Sequence, residues 1–401
     1  MVYSRILRIR GAWRFSFTGL ILRLPMSMMG ISIILLVKSE YGNYTLAGAV
    51  SAVNIVALAV CAPILARLVD EHGQMRIMGP ALAVCAASAS GLLVAATTHA
   101  PSWVLFACAA LAGATWGSPG ALVRSRWATV VDDPRDLTTA YAFEAAMDEI
   151  VFILGPVLAT VLGTSLHAGT GVALSVLFLV AGGAGFLAQR SSEPAPVRRE
   201  PGIARASVIF KPAVLVLALT YIGAGMLFGA NDVSVVAFTE ALGAPAMSGV
   251  LLAVFSTGSL VAALVYGARS WVQPLWRLYM VGIIALAVGT TTFLAAHHLW
   301  SMAVTMLITG MACAPTMTNV NMIIARIVPA SQLTEGLAWM STSMNLGVSL
   351  GAAVAGRAVD SAGAHGGYVI VVGAGWIMVA LMLVGVRSLR RDTEEEAPTL
   401  D

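Results

Sequence analysis

The sequence predicts an all-α membrane protein, with twelve transmembrane helices arranged in two pseudo-symmetric six-helix halves. Three observations carry that expectation. Of 401 residues, 58% are hydrophobic and only 11% charged, against roughly 25% charged in an ordinary soluble domain. The apolar residues fall in blocks near twenty long between short polar loops, the length needed to cross a hydrocarbon core of about 30 Å. The two halves of the chain also match one another in sequence. Mean hydropathy is +0.86, and a water-soluble globule is excluded.

Windows bounded by Arg, Asp, Pro or Gly place the first six spans at 15–37, 45–66, 77–97, 103–123, 140–163 and 169–188. The second six follow at 212–232, 246–267, 275–296, 299–323, 336–356 and 366–386. The first apolar run is too long for a signal peptide, and a second follows it closely. The halves are therefore 1–188 and 212–386. Between them, QRSSEPAPVRREPGIARASVIFK (189–211) is rich in Pro, Ser and Arg and has no apolar helical face; it reads as a cytoplasmic linker. The end of the chain, 387–401, carries Glu394, Glu395 and Glu396 and is expected to be a disordered cytoplasmic tail.

Orientation follows from the basic residues. Twenty of the 23 Lys and Arg lie at the N-terminus, in the even-numbered gaps and in the tail, while only Lys38 and Arg357 lie on the opposite side. That bias predicts both termini in the cytoplasm. A net charge of +3, scattered among loops, gives no nucleic-acid surface. Cys61, Cys85, Cys108 and Cys313 lie inside apolar runs without ligand spacing and read as small hydrophobes. His99, His167, His297, His298 and His365 map to outer loops, also without ligand spacing. No metal site, no cofactor and no catalytic cluster is expected, and no P-loop is present.

The internal repeat is legible around the fifth and eleventh spans. Leu137, Thr138, Ala142 and Gly155 fall on Leu333, Thr334, Ala338 and Gly351 at one offset of 196 residues. At an offset of 201, Gly48, Ala52 and Val53 fall on Gly249, Ala253 and Val254. Span five is thereby laid over span eleven, and span two over span eight, as in transporters with parallel repeats.

Twelve spans, two repeated halves and a central linker resemble the major facilitator superfamily. The loop after span two, ARLVDEHGQMR, is similar to that family's signature G-x-x-x-D-R-x-G-R-R: Asp70 stands at the acid, Gly73 at the turn glycine and Arg76 at a terminal base. Ala66 replaces the first glycine, and Glu71 stands where a base is usual. The resemblance implies that Asp70, Gly73 and Arg76 serve the conformational switch, with Asp70 contacting the other half. Arg326 and Arg269 are on offer there, and Arg76 is a local competitor. In span five, Gly155-Pro156 resembles the Gly-Pro core of the family's drug and proton antiporter signature, which adds both residues to the switch.

Ionisable residues inside spans are few, and each costs roughly 2.5 to 3.5 kcal/mol if unpaired. Arg23 lies nine residues past Arg14, roughly 13 Å into the membrane at about 1.5 Å per residue. Glu149 reaches similar depth along span five, with Asp148 beside it. The resemblance puts spans one and five at the central cavity, so Arg23 is expected to pair with Asp148 or Glu149. Asp232 lies in GAND, where Gly229 and Asn231 suggest a broken or fraying outer end of span seven. One base against three acids leaves an excess that invites a proton, and Glu149, Asp148 and Asp232 become the proton-coupling candidates. Thr316 and Asn319 in the polar span ten, Asn345 opposite Glu149 in the repeat, and the aromatics Trp116 and Tyr221 are the substrate-cavity candidates. Gly225/Gly229 and Gly347/Gly351, spaced four apart, read as helix-packing positions.

The resulting expectation is a secondary active transporter in a bacterial plasma membrane that moves a small organic compound by alternating access and is driven by protons. The surplus acids and the Gly155-Pro156 pair favour efflux over uptake or facilitation. The expected partners are the substrate, protons and lipid, and a monomer is expected.

Overall fold

The computed structural model describes residues 2–196, 207–244 and 247–394, and all their regular structure is helical. A short α1 (Val2–Leu7) turns at Gly11 into α2 (Ala12–Tyr41), the first span. Next come α3 (Tyr44–His72) and α4 (Gln74–Thr97), then α5 (Ser102–Trp116) with α6 (Pro119–Val130), α7 (Pro134–Ser165) and α8 (Thr170–Leu187). The chain continues through α9 (Pro212–Ala241), α10 (Met247–Gly267), α11 (Leu275–Thr291), α12 (Leu299–Gly310) with α13 (Cys313–Ile327), and α14 (Leu333–Glu394). Eleven helical stretches of the described residues are long and apolar enough to cross a membrane. The last breaks at Ala362 and Gly363 into two limbs, spans eleven and twelve.

Four details differ from expectation. Span four is two helices: Gly117, at φ 72° and ψ −151°, leaves the helical region, and Pro119 begins the next helix without an N–H to give. Span ten parts more gently at Met311 and Ala312, where the backbone stays near-helical; Pro315 has no N–H for the Met311 carbonyl. GAND is no frayed end, because α9 runs on to Ala241 and its Gly229 packs against Val348 of α14. The tail stays helical to Glu394, which accepts from Arg390 Nε at 2.9 Å and Trp276 Nε1 at 3.1 Å. Glu395, Glu396 and the remaining residues to 401 lie outside the described residues, as does 197–206 of the linker.

The chain forms two compact units. The first holds 1–132, 150–204 and 331–338; the second holds 133–149, 205–330 and 339–401. In the first, α2 packs on α8 and α3 on α5; in the second, α10 packs on α12 and α11 on α13. The repeat recurs at contact level. A Cβ on Gly113 of α5 would strike the Asn54 carbonyl of α3, and one on Gly310 of α12 would strike the Phe255 carbonyl of α10. Residues 54 and 255 stand at the 201-residue offset read from the sequence. Outward faces carry Val60, Val84, Leu177, Val281 and Leu383, all exposed, which suits hydrocarbon and not water.

Candidate transport site

In the second unit, the first limb of α7 lies antiparallel along α10. Thr139 Oγ1 donates to the Gly267 carbonyl at 2.6 Å, and Ala145 and Ala146 share a buried cluster with Ala263 of α10 and Ala314 of α13. Farther along, Ser259 Oγ donates to Glu149 Oε1 at 2.6 Å. Small side chains at 145, 146 and 263 bring the helices close enough for that short contact. Glu149 and Asp148 are both half-buried midway along α7, and Glu144, one turn earlier, is fully buried.

Two turns beyond Ser259 on the same face of α10, Tyr266 OH donates to Asn319 Oδ1 at 2.7 Å. Asn319 is buried on α13, where Tyr221 OH of α9 and Asn321 Nδ2 both reach the Met317 carbonyl, at 3.4 and 3.0 Å. Thr318 Oγ1 is buried with no hydrogen-bond partner among the described residues. Asn319 and Tyr221 are thus brought together on α13, with Glu149 on the same α10 face. Thr316 is turned elsewhere: its hydroxyl bonds the Ala312 carbonyl and lies against Gly282 of α11. Asn345 is half-buried on α14 and Asp232 is exposed on α9.

In the first unit, Arg23 is fully buried on α2 and its Nε donates to the Gly19 carbonyl at 3.1 Å. Trp116 is buried at the break in span four. Pro156 sits inside an unbroken α7; Ser27 Oγ of α2 donates to the Val151 carbonyl at 2.8 Å and lies against Gly155. A hydroxyl from a neighbouring helix thus supports the backbone one turn before the proline.

The loop after span two makes a contact that differs from the expected arginine pair. Asp70 Oδ1 accepts the Thr334 N–H at 3.3 Å and Oδ2 the Glu335 N–H at 2.9 Å. These are the second and third residues of α14, whose first-turn amides have no partner inside their own helix. Asp70 is therefore an N-cap supplied from another helix, favoured further by the positive end of the helix dipole. The contact lies within the first unit, where 331–338 pack. Gly73 has φ 92°, which a side chain resists, and a Cβ there would come within 3.0 Å of Glu193 Oε1. That carboxylate caps α4 by accepting the Met75 N–H at 2.9 Å. Arg76 is exposed.

Two features escaped the sequence. Buried Arg126 of α6 ties the start of the linker down: its Nε donates to Gln74 Oε1 at 2.7 Å, and Nη1 donates to the Gln189 carbonyl at 2.8 Å and Ser192 Oγ at 3.0 Å. On the opposite side, His99 and His167 from separate loops approach the two oxygens of Glu40, at 4.0 and 3.9 Å. Neither contact leaves a sequence signal beyond the polarity of its members.

Among solved structures, the chain is similar to the human organic anion transporter MFSD10 (TETRAN), at 16% identity and a TM-score of 0.75, over 94% of this chain and 99% of that one. It is equally similar to a bacterial homologue of the iron transporter ferroportin in an outward-facing state, at 13% identity, a TM-score of 0.76 and the same coverages. At those identities the likeness is one of fold. No curated protein matches the sequence. The family model for the Major Facilitator Superfamily matches residues 15–268 and 215–400, and with nearly the whole chain so covered, this multi-pass membrane protein belongs to that superfamily of transporters.

Proposed function

We propose that this chain is a secondary active transporter that exports a small organic compound by alternating access, using protons that enter through Glu149. The observation that supports this reading is the partner of Glu149. Midway along a membrane-spanning helix, the carboxylate meets the hydroxyl of Ser259 at 2.6 Å, and it forms no ion pair with a basic group among the described residues. A hydroxyl donates to a carboxylate and accepts from a carboxylic acid, so the contact serves both protonation states. Asp148 and Asp232 are secondary proton sites in this reading, and Arg23 is the buried base that offsets part of the acid excess. Substrate lies along α13, where Asn319, Tyr266 and Tyr221 offer polar and aromatic contacts and Thr318 holds an unused hydroxyl. Asp70 acts in the switch through its hold on the start of α14. The arginine-rich face is cytoplasmic, in the plasma membrane of a bacterium, and the working unit is a monomer.

The test is a panel of organic compounds in proteoliposomes with an imposed pH gradient. Glu149→Gln abolishes gradient-driven accumulation while substrate exchange partly survives. A Glu149→Gln protein that still concentrates substrate as the parent does removes Glu149 from the coupling path.

A further inference from the structure

The turn joining α1 to α2 gathers positive charge, and no acid among the described residues lines the cavity beside it. Arg8 and Arg10 lie in the turn and Arg14 in the first helical turn after it; all three are exposed, and none forms an ion pair among the described residues. They border a cavity of about 490 Å³ together with Trp13, Gln189 and Ser191. The start of α2 adds to the imbalance. Its N-cap is Gly11, at φ 87° with no side-chain cap, and its first turn holds no acid, so the positive end of a 30-residue helix faces the same place. Gln189 forms part of the cavity wall, its amide held in place where Nε2 donates to Thr18 Oγ1 at 3.1 Å and to the Gly185 carbonyl at 2.8 Å.

We propose that this cavity binds a phosphate group, and that the phosphate belongs to the headgroup of an anionic phospholipid. Three guanidinium groups supply fork-shaped donors for its oxygens, and the positive end of the α2 dipole adds to their field. Lipid is favoured over a dissolved anion by what flanks the cavity. Trp13 and Phe17, four residues apart on one face of α2, are 55% and 56% exposed, and the Arg14 guanidinium lies 5.5 Å from the Trp13 ring centre. Aromatic rings beside arginine at a span end are what a membrane interface selects.

The test uses the full-length protein in nanodiscs or mixed micelles, with lipid retention read by native mass spectrometry and stability by thermal melting. Dioleoyl phosphatidylglycerol, dioleoyl phosphatidylcholine and inorganic phosphate are compared. The parent retains phosphatidylglycerol about tenfold over phosphatidylcholine, and Arg8→Gln/Arg10→Gln/Arg14→Gln loses that preference. The charge-matched control Arg387→Gln/Arg390→Gln/Arg391→Gln keeps it. The cavity variant should melt as the parent does in phosphatidylcholine, since the three side chains are exposed; if it does not fold, Arg10→Gln alone still reads a loss of about twofold to threefold. Equal loss in the control reduces the site to diffuse surface charge and overturns the proposal, as does equal retention of the two lipids. Stabilisation by inorganic phosphate as strong as by phosphatidylglycerol overturns the lipid assignment and leaves a soluble phosphate site.

Discussion

Two helix crossings occupy equivalent places in the repeat and are built in opposite ways. In the second unit, α9 meets the first limb of α14 backbone to backbone. A Cβ on Gly225 would strike the Met344 carbonyl, on Gly229 that of Val348, on Gly347 that of Ile222 and on Gly351 that of Met226. In the first unit, α2 meets α7 through side chains: Gly155 faces Ser27, whose hydroxyl donates to the Val151 carbonyl. The 196-residue offset lays Val151 and Gly155 on Gly347 and Gly351. One crossing has no slack, because carbonyl oxygens cannot rotate away. The other rests on a hydroxyl that can turn, so duplicated halves have diverged from steric to polar packing at the same position.

The largest break in that comparison is expected at the glycine crossing. Gly347→Val must push two backbones apart, at a cost of about 1 to 3 kcal/mol or more, and should sharply lower the melting temperature and the yield of monodisperse protein. A variant that melts like the parent would show that the four glycines do not set the helix separation. A smaller effect is expected at the polar contact with α14. Asp70→Asn keeps one acceptor but loses the charge facing a helix start, worth about 1 kcal/mol; turnover should slow with little change in equilibrium binding. A tenfold loss of affinity in a conformationally locked background would place Asp70 in the binding site instead. The smallest effect is expected for Ser27→Ala, which removes one interhelical hydrogen bond worth about 0.6 kcal/mol. If its melting temperature falls as far as that of Gly347→Val, the two crossings are not different in kind.

The sequence made Gly73 readable, because a glycine between an Asp-ended helix and the next basic turn signals positive φ, and the backbone has φ 92° there. It made the place of Glu149 midway along its helix readable, because that place is a count of residues along one helix. It did not reveal that Ser259 would meet Glu149, 110 residues away in the chain. Nor did it reveal that Asp70 would cap a helix start 264 residues on, since arginines were the partners that charge alone suggested. The motif named the residue and not its partner. Thr316 illustrates the same limit: a polar side chain in a polar span turned toward Gly282 of a neighbouring helix.

By itself the sequence determined the class, the twelve apolar segments and the relation of the two halves. Each follows from a local rule: a hydrocarbon core demands about twenty apolar residues per crossing and internal satisfaction of every backbone group, and duplication leaves an offset that alignment detects. The tertiary structure alone decided where α7 divides between the units, how abruptly spans four and ten break, which carboxylates cap helices, and that His99 and His167 share Glu40. Those outcomes depend on side chains meeting across helices far apart in the chain. Inside a membrane the hydrophobic effect does not rank one helix pairing above another, so close packing and hydrogen bonds decide it, and neither leaves a periodic trace in the sequence.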